Sequence, residues 1–121
     1  MLPAWSFNSD KPVYIQIAHR ITASVLSGEY TAGEQLPTVR QLALEAAVNP
    51  NTVQRAFLEL ENKGIIVSQG TIGRYVTEDT AVIEECRKQL IEDIVRSFIK
   101  KCENLSVSKD EIINMIEEVC K

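Results

Sequence analysis

This chain has little of what most enzymes depend on. It contains one histidine and three cysteines in 121 residues, and it has no Gly-rich phosphate loop, nucleophile elbow or HExxH motif. We therefore expect no enzymatic activity and no catalytic residue. His19 has no cysteine or carboxylate partners arranged as metal ligands, so we also expect no metal site, and nothing in the sequence calls for a cofactor.

Long apolar runs are absent too. No uninterrupted stretch approaches the roughly 18 residues of a membrane-spanning helix, and the start at Met1 lacks a basic segment followed by an apolar one. Cys86, Cys102 and Cys120 are odd in number and widely spaced, which fits buried thiols in a reducing compartment better than a disulfide framework. We expect a cytoplasmic protein with no membrane partner.

Two short helices joined by a tight turn are predicted over residues 38–63. Thr38 and Gln41 have the spacing of a capping box, so the first helix should begin near Val39. Asn49 before Pro50 is a good N-cap for a second helix that runs to about residue 63. The buried stripe of this second helix leaves a polar cluster near its N-terminal end, made of Asn51, Thr52, Gln54 and Arg55. The layout is that of a helix-turn-helix DNA reader.

A β-hairpin is predicted after the second helix. Gly64 can adopt the left-handed conformation that ends a helix, and residues 65–68 and 74–76 have the pattern of two strands around residues 69–73. The predicted fold class is therefore mainly α with a small β-hairpin, a winged helix-turn-helix over residues 1–76.

These segments resemble the GntR family of bacterial transcription regulators. The resemblance rests on LPTVRQLA at residues 36–43 and NPNTVQRA at 49–56, with LE at 60–61 and GII at 64–66. PVYIQI at 12–17 resembles the family's first helix, and GEYTAG at 28–33 resembles the loop after it. The match covers roughly residues 11–76.

The resemblance implies a DNA-contacting surface on the two helices and the wing. The candidate residues are Thr38, Arg40, Asn49, Asn51, Thr52, Gln54, Arg55, Gly73 and Arg74. We expect the arginines of the helices to reach phosphate or guanine, Asn51 and Gln54 to reach adenine edges or phosphates, and the amides near Asn51 to cradle a phosphate. Thr38 and Asn49 act as helix caps, with or without a DNA contact. At the wing, Gly70-Thr71-Ile72-Gly73 stands where the family usually has a basic residue followed by Gly-x-Gly.

The DNA-binding part lacks a basic excess. Residues 1–76 carry six Lys or Arg against six acids, and residues 77–121 carry seven against eleven, which accounts for the net charge of −4. We therefore expect modest nonspecific affinity and a shallow salt dependence, with specificity left to base contacts and dimerisation. The acidic C-terminal part is a poor match for DNA.

Residues 77–121 are predicted to form a helical hairpin arm. Asp79 or Thr80 can cap a helix that runs to about residue 103, and Ser108 with Glu111 forms a capping box for a second helix. Both helices carry apolar faces that demand a partner, so we expect a two-fold homodimer. The predicted dimerisation residues are Ile83, Cys86, Leu90, Ile91, Ile94, Val95, Phe98, Ile99, Ile112 and Ile116. A winged helix followed by two dimerising helices resembles the short YtrA subfamily. In the alternative, the arm folds back on its own winged helix as a monomer.

The predicted function is a transcription regulator that binds a palindromic DNA operator as a homodimer, with repression as the simplest mechanism. The sequence leaves open whether a small-molecule effector exists. The alternative is a protein-interaction module that uses the winged helix as a docking surface. Neutral charge supports that alternative, whereas the polar cluster on the second helix argues against it, because docking surfaces favour apolar anchors.

Overall fold

The computed structural model describes residues 4–121. Along them the chain forms the elements α1 (Val13–Leu26), α2 (Val39–Ala46), α3 (Pro50–Asn62), β1 (Ile66–Gln69), β2 (Gly73–Val76), α4 (Thr80–Asn104) and α5 (Lys109–Val119). The strands pair antiparallel, with Ile66 opposite Val76. This confirms the predicted fold class, a mainly helical winged helix-turn-helix with a small β-hairpin and two further helices.

The chain divides into two compact units, one up to Lys88 and the other from Gln89 to Lys121. The sequence prediction ends the first domain at residue 76. The structure extends the first unit because the start of α4 packs on its core: Cys86 is 8% exposed, and Val82 and Ile83 lie against the same core. Among residues 4–121, no helix has both the length and the apolar character that crossing a bilayer requires.

The core of the first unit is built from the apolar stripes of its helices and from the start of the wing. Its largest fully buried side chains include Ile17 and Ile21 of α1, Leu42 of α2, and Phe57 and Leu60 of α3. Truncation of a buried aromatic such as Phe57 to alanine costs about 3–5 kcal/mol. This packing sets the orientation of α3 relative to α1 and α2.

The turn between α2 and α3 contains a residue in an unusual conformation. Ala47, the C-cap of α2, has φ 56° and ψ 48°, in the left-handed region. Its amide donates to the carbonyls of Ala43 and Leu44, which closes the last turn of α2. Glycine is the usual residue at such a position because a Cβ strains this conformation.

The wing has a short third segment. The backbone of Gly33 and Glu34 exchanges hydrogen bonds with Val76, and the Leu36 amide donates to the Arg74 carbonyl at 2.8 Å. An isolated hairpin of two strands is marginal in water, so this extra pairing and the burial of Ile66 and Val76 stabilise it.

Candidate nucleic-acid interface

The start of α2 is held by the predicted capping box. The Thr38 hydroxyl accepts from the Gln41 amide at 3.1 Å, and the Gln41 side chain accepts from the Thr38 amide at 2.8 Å. Arg40 follows in the first turn of α2, and its side chain is exposed. The Thr38 hydroxyl oxygen therefore acts as the helix cap, and Arg40 is exposed to solvent in the turn that it caps.

Asn49 caps α3 as predicted. Its side-chain oxygen accepts from the Asn51 amide at 2.8 Å, and its carbonyl accepts from the Thr52 amide at 2.9 Å. Pro50 has no amide hydrogen. In the unbound protein these amides donate to Asn49, and the expectation that amides near Asn51 cradle a phosphate stays a prediction. A phosphate at this end of α3 would depend on the helix dipole and on side chains.

The polar cluster of α3 lies opposite its buried stripe. Asn51 and Arg55 are exposed and one helical turn apart, so they share a face with Thr52, which is half-buried. Gln54 is half-buried and lies one turn from Asn51. Val53, Ala56, Phe57 and Leu60 face the core. The structure therefore brings the four predicted residues of the cluster onto one solvent-facing side of α3.

Several cations of the first unit already have partners. Lys63 pairs with Glu59 at 3.7 Å, Arg74 pairs with Glu61, and the guanidinium of Arg20 lies 4.5 Å from the centre of the Trp5 ring. In the part of the chain that the structure describes, neither Arg40 nor Arg55 pairs with a carboxylate. Arg40 and Arg55 are thus the cations of α2 and α3 that no carboxylate of residues 4–121 holds.

Arg55 has an aromatic neighbour instead. Its guanidinium carbon lies 4.1 Å from the centre of the Tyr14 ring, which belongs to the first turn of α1. Sequence reasoning missed this contact, because the two residues are far apart in the chain and no periodicity connects them.

The wing places two predicted DNA contacts in structural roles. The Arg74 guanidinium pairs with Glu61 of α3 and lies over the Phe57 ring, 4.9 Å from its centre. Gly73 has φ 141°, and a Cβ there would come within 2.8 Å of the Gln35 side chain, which donates to the Ile72 carbonyl at 3.1 Å. Arg74 thus fastens the wing to α3, and Gly73 makes room for Gln35. The assignment of both residues to DNA contacts stays a prediction beside these structural roles.

The tip of the wing carries no charge. Gly70, Thr71 and Ile72 are exposed there, and Ile72 is 67% exposed. Cationic contact with phosphates at the tip would need residues that this wing does not have.

A hollow of about 670 Å³ lies beside the start of α2, lined in part by Tyr30, Glu34, Thr38 and Glu45. Burial, together with the carboxylates of Glu45, Glu29 and Glu34, raises the pKa of Tyr30. The negative charge of these carboxylates disfavours bound phosphate in the hollow.

The second unit carries an apolar groove of about 440 Å³ between the end of α4 and α5. Its walls include Val95, Phe98, Ile99, Ile112 and Ile116, and charged Glu103 and Lys109 also line it. Ile91 and Ile94 are exposed on α4 as well, whereas Leu90 and Ile112 are half-buried. Val107 and Ile113 also line the groove, although the predicted dimerisation set does not include them.

Two predicted dimerisation residues lie elsewhere. Cys86 is buried in the core of the first unit, and Ile83 is half-buried against it. Both residues belong to the first turns of α4, which pack on this core. Cys86 and Ile83 therefore contact the core of the first unit, and the dimerisation role of the predicted residues stays a prediction.

Similarity to known proteins agrees with this geometry. Residues 13–76 match the model for bacterial regulatory proteins of the gntR family. The chain belongs to the GntR family. Its members are transcription regulators with a helix-turn-helix DNA-binding domain, which confirms the predicted resemblance and a non-enzymatic regulator.

Relatives match over nearly the whole chain. The HTH-type transcriptional regulator YhcF of Bacillus subtilis is 33% identical over 111 residues, covering 92% of each chain. The HTH-type transcriptional repressor YtrA of the same organism is 31% identical over 112 residues, covering 92% of this chain and 86% of YtrA. A GntR family transcriptional regulator from Listeria monocytogenes has a solved structure that is 38% identical, with a TM-score of 0.78, covering 93% of this chain and 98% of that one. The similarity therefore includes the two C-terminal helices as well as the winged helix.

Proposed function

We propose that this GntR-family regulator is a cytoplasmic repressor that binds an inverted-repeat operator as a homodimer, with one recognition helix in each half-site. The observation that carries the DNA part is the solvent-facing cluster on α3, where Asn51, Gln54 and Arg55 offer amide and guanidinium groups. Such groups read adenine and guanine edges in the major groove. Arg40 adds a cation on α2 for phosphate or guanine.

The apolar groove of the second unit supports the dimer. Ile94, Phe98 and Ile116 are 43–59% exposed, a large apolar exposure for a hairpin of this size. A second copy is the occupant that fits best, since Glu103 and Lys109 line the same groove. In a two-fold contact both copies present the same surface, so the acidic residue of one copy can face the basic residue of the other.

The repressor role is supported by the relative YtrA, which is itself a transcriptional repressor. A dimer bound across a promoter can repress simply by excluding polymerase. We propose no effector, because nothing in the described residues identifies one.

The DNA part is tested by selecting bound duplexes from a random library at about 150 mM salt, with Arg40→Ala in parallel. We expect an inverted repeat with half-sites about one helical turn apart, or a multiple of that spacing, and lost or degraded enrichment with the variant. Equal enrichment with Arg40→Ala would remove α2 from the interface. No enrichment by the unaltered protein would contradict operator binding and favour the docking-module alternative.

The dimer is tested by sedimentation velocity. The unaltered protein should sediment as a dimer, and Phe98→Asp and Ile116→Asp should each sediment as monomers, because a buried carboxylate is strongly unfavourable in an apolar interface. Leu44→Asp is the matched control, since Leu44 is 78% exposed on α2. Loss of the dimer in the control alone would place the interface on the first unit and contradict the proposal.

A further inference from the structure

Tyr14 and Arg55 form a contact that joins the first turn of α1 to the recognition helix. The guanidinium carbon lies 4.1 Å from the ring centre, well within the roughly 6 Å of a cation–π interaction. The Tyr14 ring is half-buried and packs against the core cluster. The core therefore holds the Tyr14 ring in place, and the exposed Arg55 side chain stacks on it.

The contact leaves the binding groups of Arg55 available. A ring that stacks on a guanidinium covers the face of that planar group, while the N–H donors point outward in its plane. The same in-plane donors make bidentate bonds to the O6 and N7 atoms of guanine or to phosphate oxygens. Stacking on Tyr14 and contact with DNA are thus compatible.

Other restraints on Arg55 are missing from residues 4–121. No carboxylate pairs with it there, in contrast to Arg74, which Glu61 holds, and Lys63, which Glu59 holds. A long exposed side chain loses its rotamer freedom when it binds, and that loss weakens binding. A side chain that is already held in one orientation loses less rotamer freedom when it binds.

From this geometry we infer that Tyr14 is a positioning residue for base reading by Arg55, although it lies outside the helix-turn-helix. The inference rests on the proposed function, because it requires Arg55 to contact the operator. The target that fits best is a guanine in each half-site, since bidentate contact with guanine gains most from a fixed guanidinium plane.

A double-mutant cycle tests the inference on the duplex obtained by selection. Affinity is measured by fluorescence anisotropy at fixed salt for the unaltered protein, Tyr14→Leu, Arg55→Ala and the double variant. Tyr14→Phe is the matched control, because it keeps the ring and removes only the hydroxyl. Leucine keeps the apolar packing, and circular dichroism with thermal melting checks that each variant is folded.

We expect Tyr14→Leu to weaken operator binding about two- to fivefold per half-site, which for a dimer is about 4- to 25-fold. Tyr14→Phe should bind as the unaltered protein does. In the Arg55→Ala background, Tyr14→Leu should have no further effect. A second selection with Tyr14→Leu should relax the preference at one guanine in each half-site, an effect that loss of packing alone does not produce.

Three results would overturn the inference. The first is a Tyr14→Leu effect of equal size with and without Arg55, which would mean that Tyr14 acts through packing. The second is tighter binding by Tyr14→Leu, which would mean that the ring holds Arg55 away from DNA. The third is an unchanged affinity. In each of these three cases the proposed function would still stand if Arg40→Ala lost operator binding. If the unaltered protein selected no duplex, both the proposed function and this inference would be rejected.

Discussion

Replacement of Arg74 by alanine should weaken the fold and leave the DNA contacts in place. In the structure the Arg74 guanidinium pairs with Glu61 and stacks over Phe57, and Glu61 also accepts from the Ser68 hydroxyl at 3.1 Å. One carboxylate thus ties both strands of the wing to α3. The resemblance to GntR regulators instead implies a DNA contact for Arg74, so the two roles give opposite predictions.

The magnitude follows from the burial of the pair. The side chains of Arg74 and Glu61 are 23% and 26% exposed, so the charge-assisted bond is shielded from water. A hydrogen bond to a charged group contributes about 1.5–3 kcal/mol, and the contact with the Phe57 ring adds about 0.5–1 kcal/mol. We expect Arg74→Ala to lower the free energy of unfolding by about 2–4 kcal/mol.

Urea denaturation followed by far-ultraviolet circular dichroism, at one protein concentration, measures this change. The matched control is Arg87→Ala, because Arg87 pairs with Glu84 at 3.4 Å but the two side chains are 54% and 71% exposed. Its loss should cost less than about 1 kcal/mol. In parallel, the slope of log affinity against log salt should be the same for Arg74→Ala and for the unaltered protein. Unchanged stability together with a slope that falls by about 1–2 would refute the reasoning and return Arg74 to the DNA interface.

Three further outcomes are expected. Ala47→Gly should raise the free energy of unfolding by about 0.5–1 kcal/mol, because glycine relieves the strain of the left-handed conformation. Ala32→Gly, in a loop of ordinary φ, is the control and should give no gain. A larger gain in chemical denaturation for Ala32→Gly than for Ala47→Gly would contradict this. Burial raises the pKa of the Cys86 thiol, so iodoacetamide at a pH of about 8 should label Cys86 more slowly than the exposed Cys120. Mass spectrometry of the digested protein measures the two labelling rates, and faster labelling of Cys86 would contradict this prediction. Among residues 4–121, Arg40 and Arg55 are the cations of α2 and α3 without a carboxylate partner, so operator binding should have a salt slope of about −4 for a dimer. A slope steeper than about −8 would contradict the shortage of phosphate contacts.

The helix starts could be predicted from the sequence because each depends on a capping residue close by in the chain. Thr38, Asn49 and Ser108 each cap the helix that their spacing indicates, because a cap involves residues only two or three positions apart. At the start of α5 the box is altered, since the Glu111 carboxylate accepts from the Ser108 hydroxyl at 3.3 Å. Short-range hydrogen bonding thus explains why the helix starts could be read from sequence.

The contacts that the sequence did not indicate join distant parts of the chain. The predicted DNA-contacting residue Arg74 pairs with Glu61 and stacks on Phe57, both of which lie in α3. Cys86 continues an apolar repeat of α4, and no periodicity marks where that repeat passes from the core of the first unit to an exposed face. The amides near Asn51 are a different case, because the predicted Asn49 cap already implied that one of them is engaged.

Binding to an operator with one damaged half-site tests the central claim most directly. The selected inverted repeat and a duplex with one half-site scrambled are each titrated with the unaltered protein and with Phe98→Asp. A dimer that uses one recognition helix per half-site should bind the intact repeat at least about a hundredfold more tightly than the damaged one, because linking two binding modules adds avidity. Phe98→Asp should bind both duplexes weakly and nearly equally. Equal affinity of the unaltered protein for the two duplexes would contradict the account.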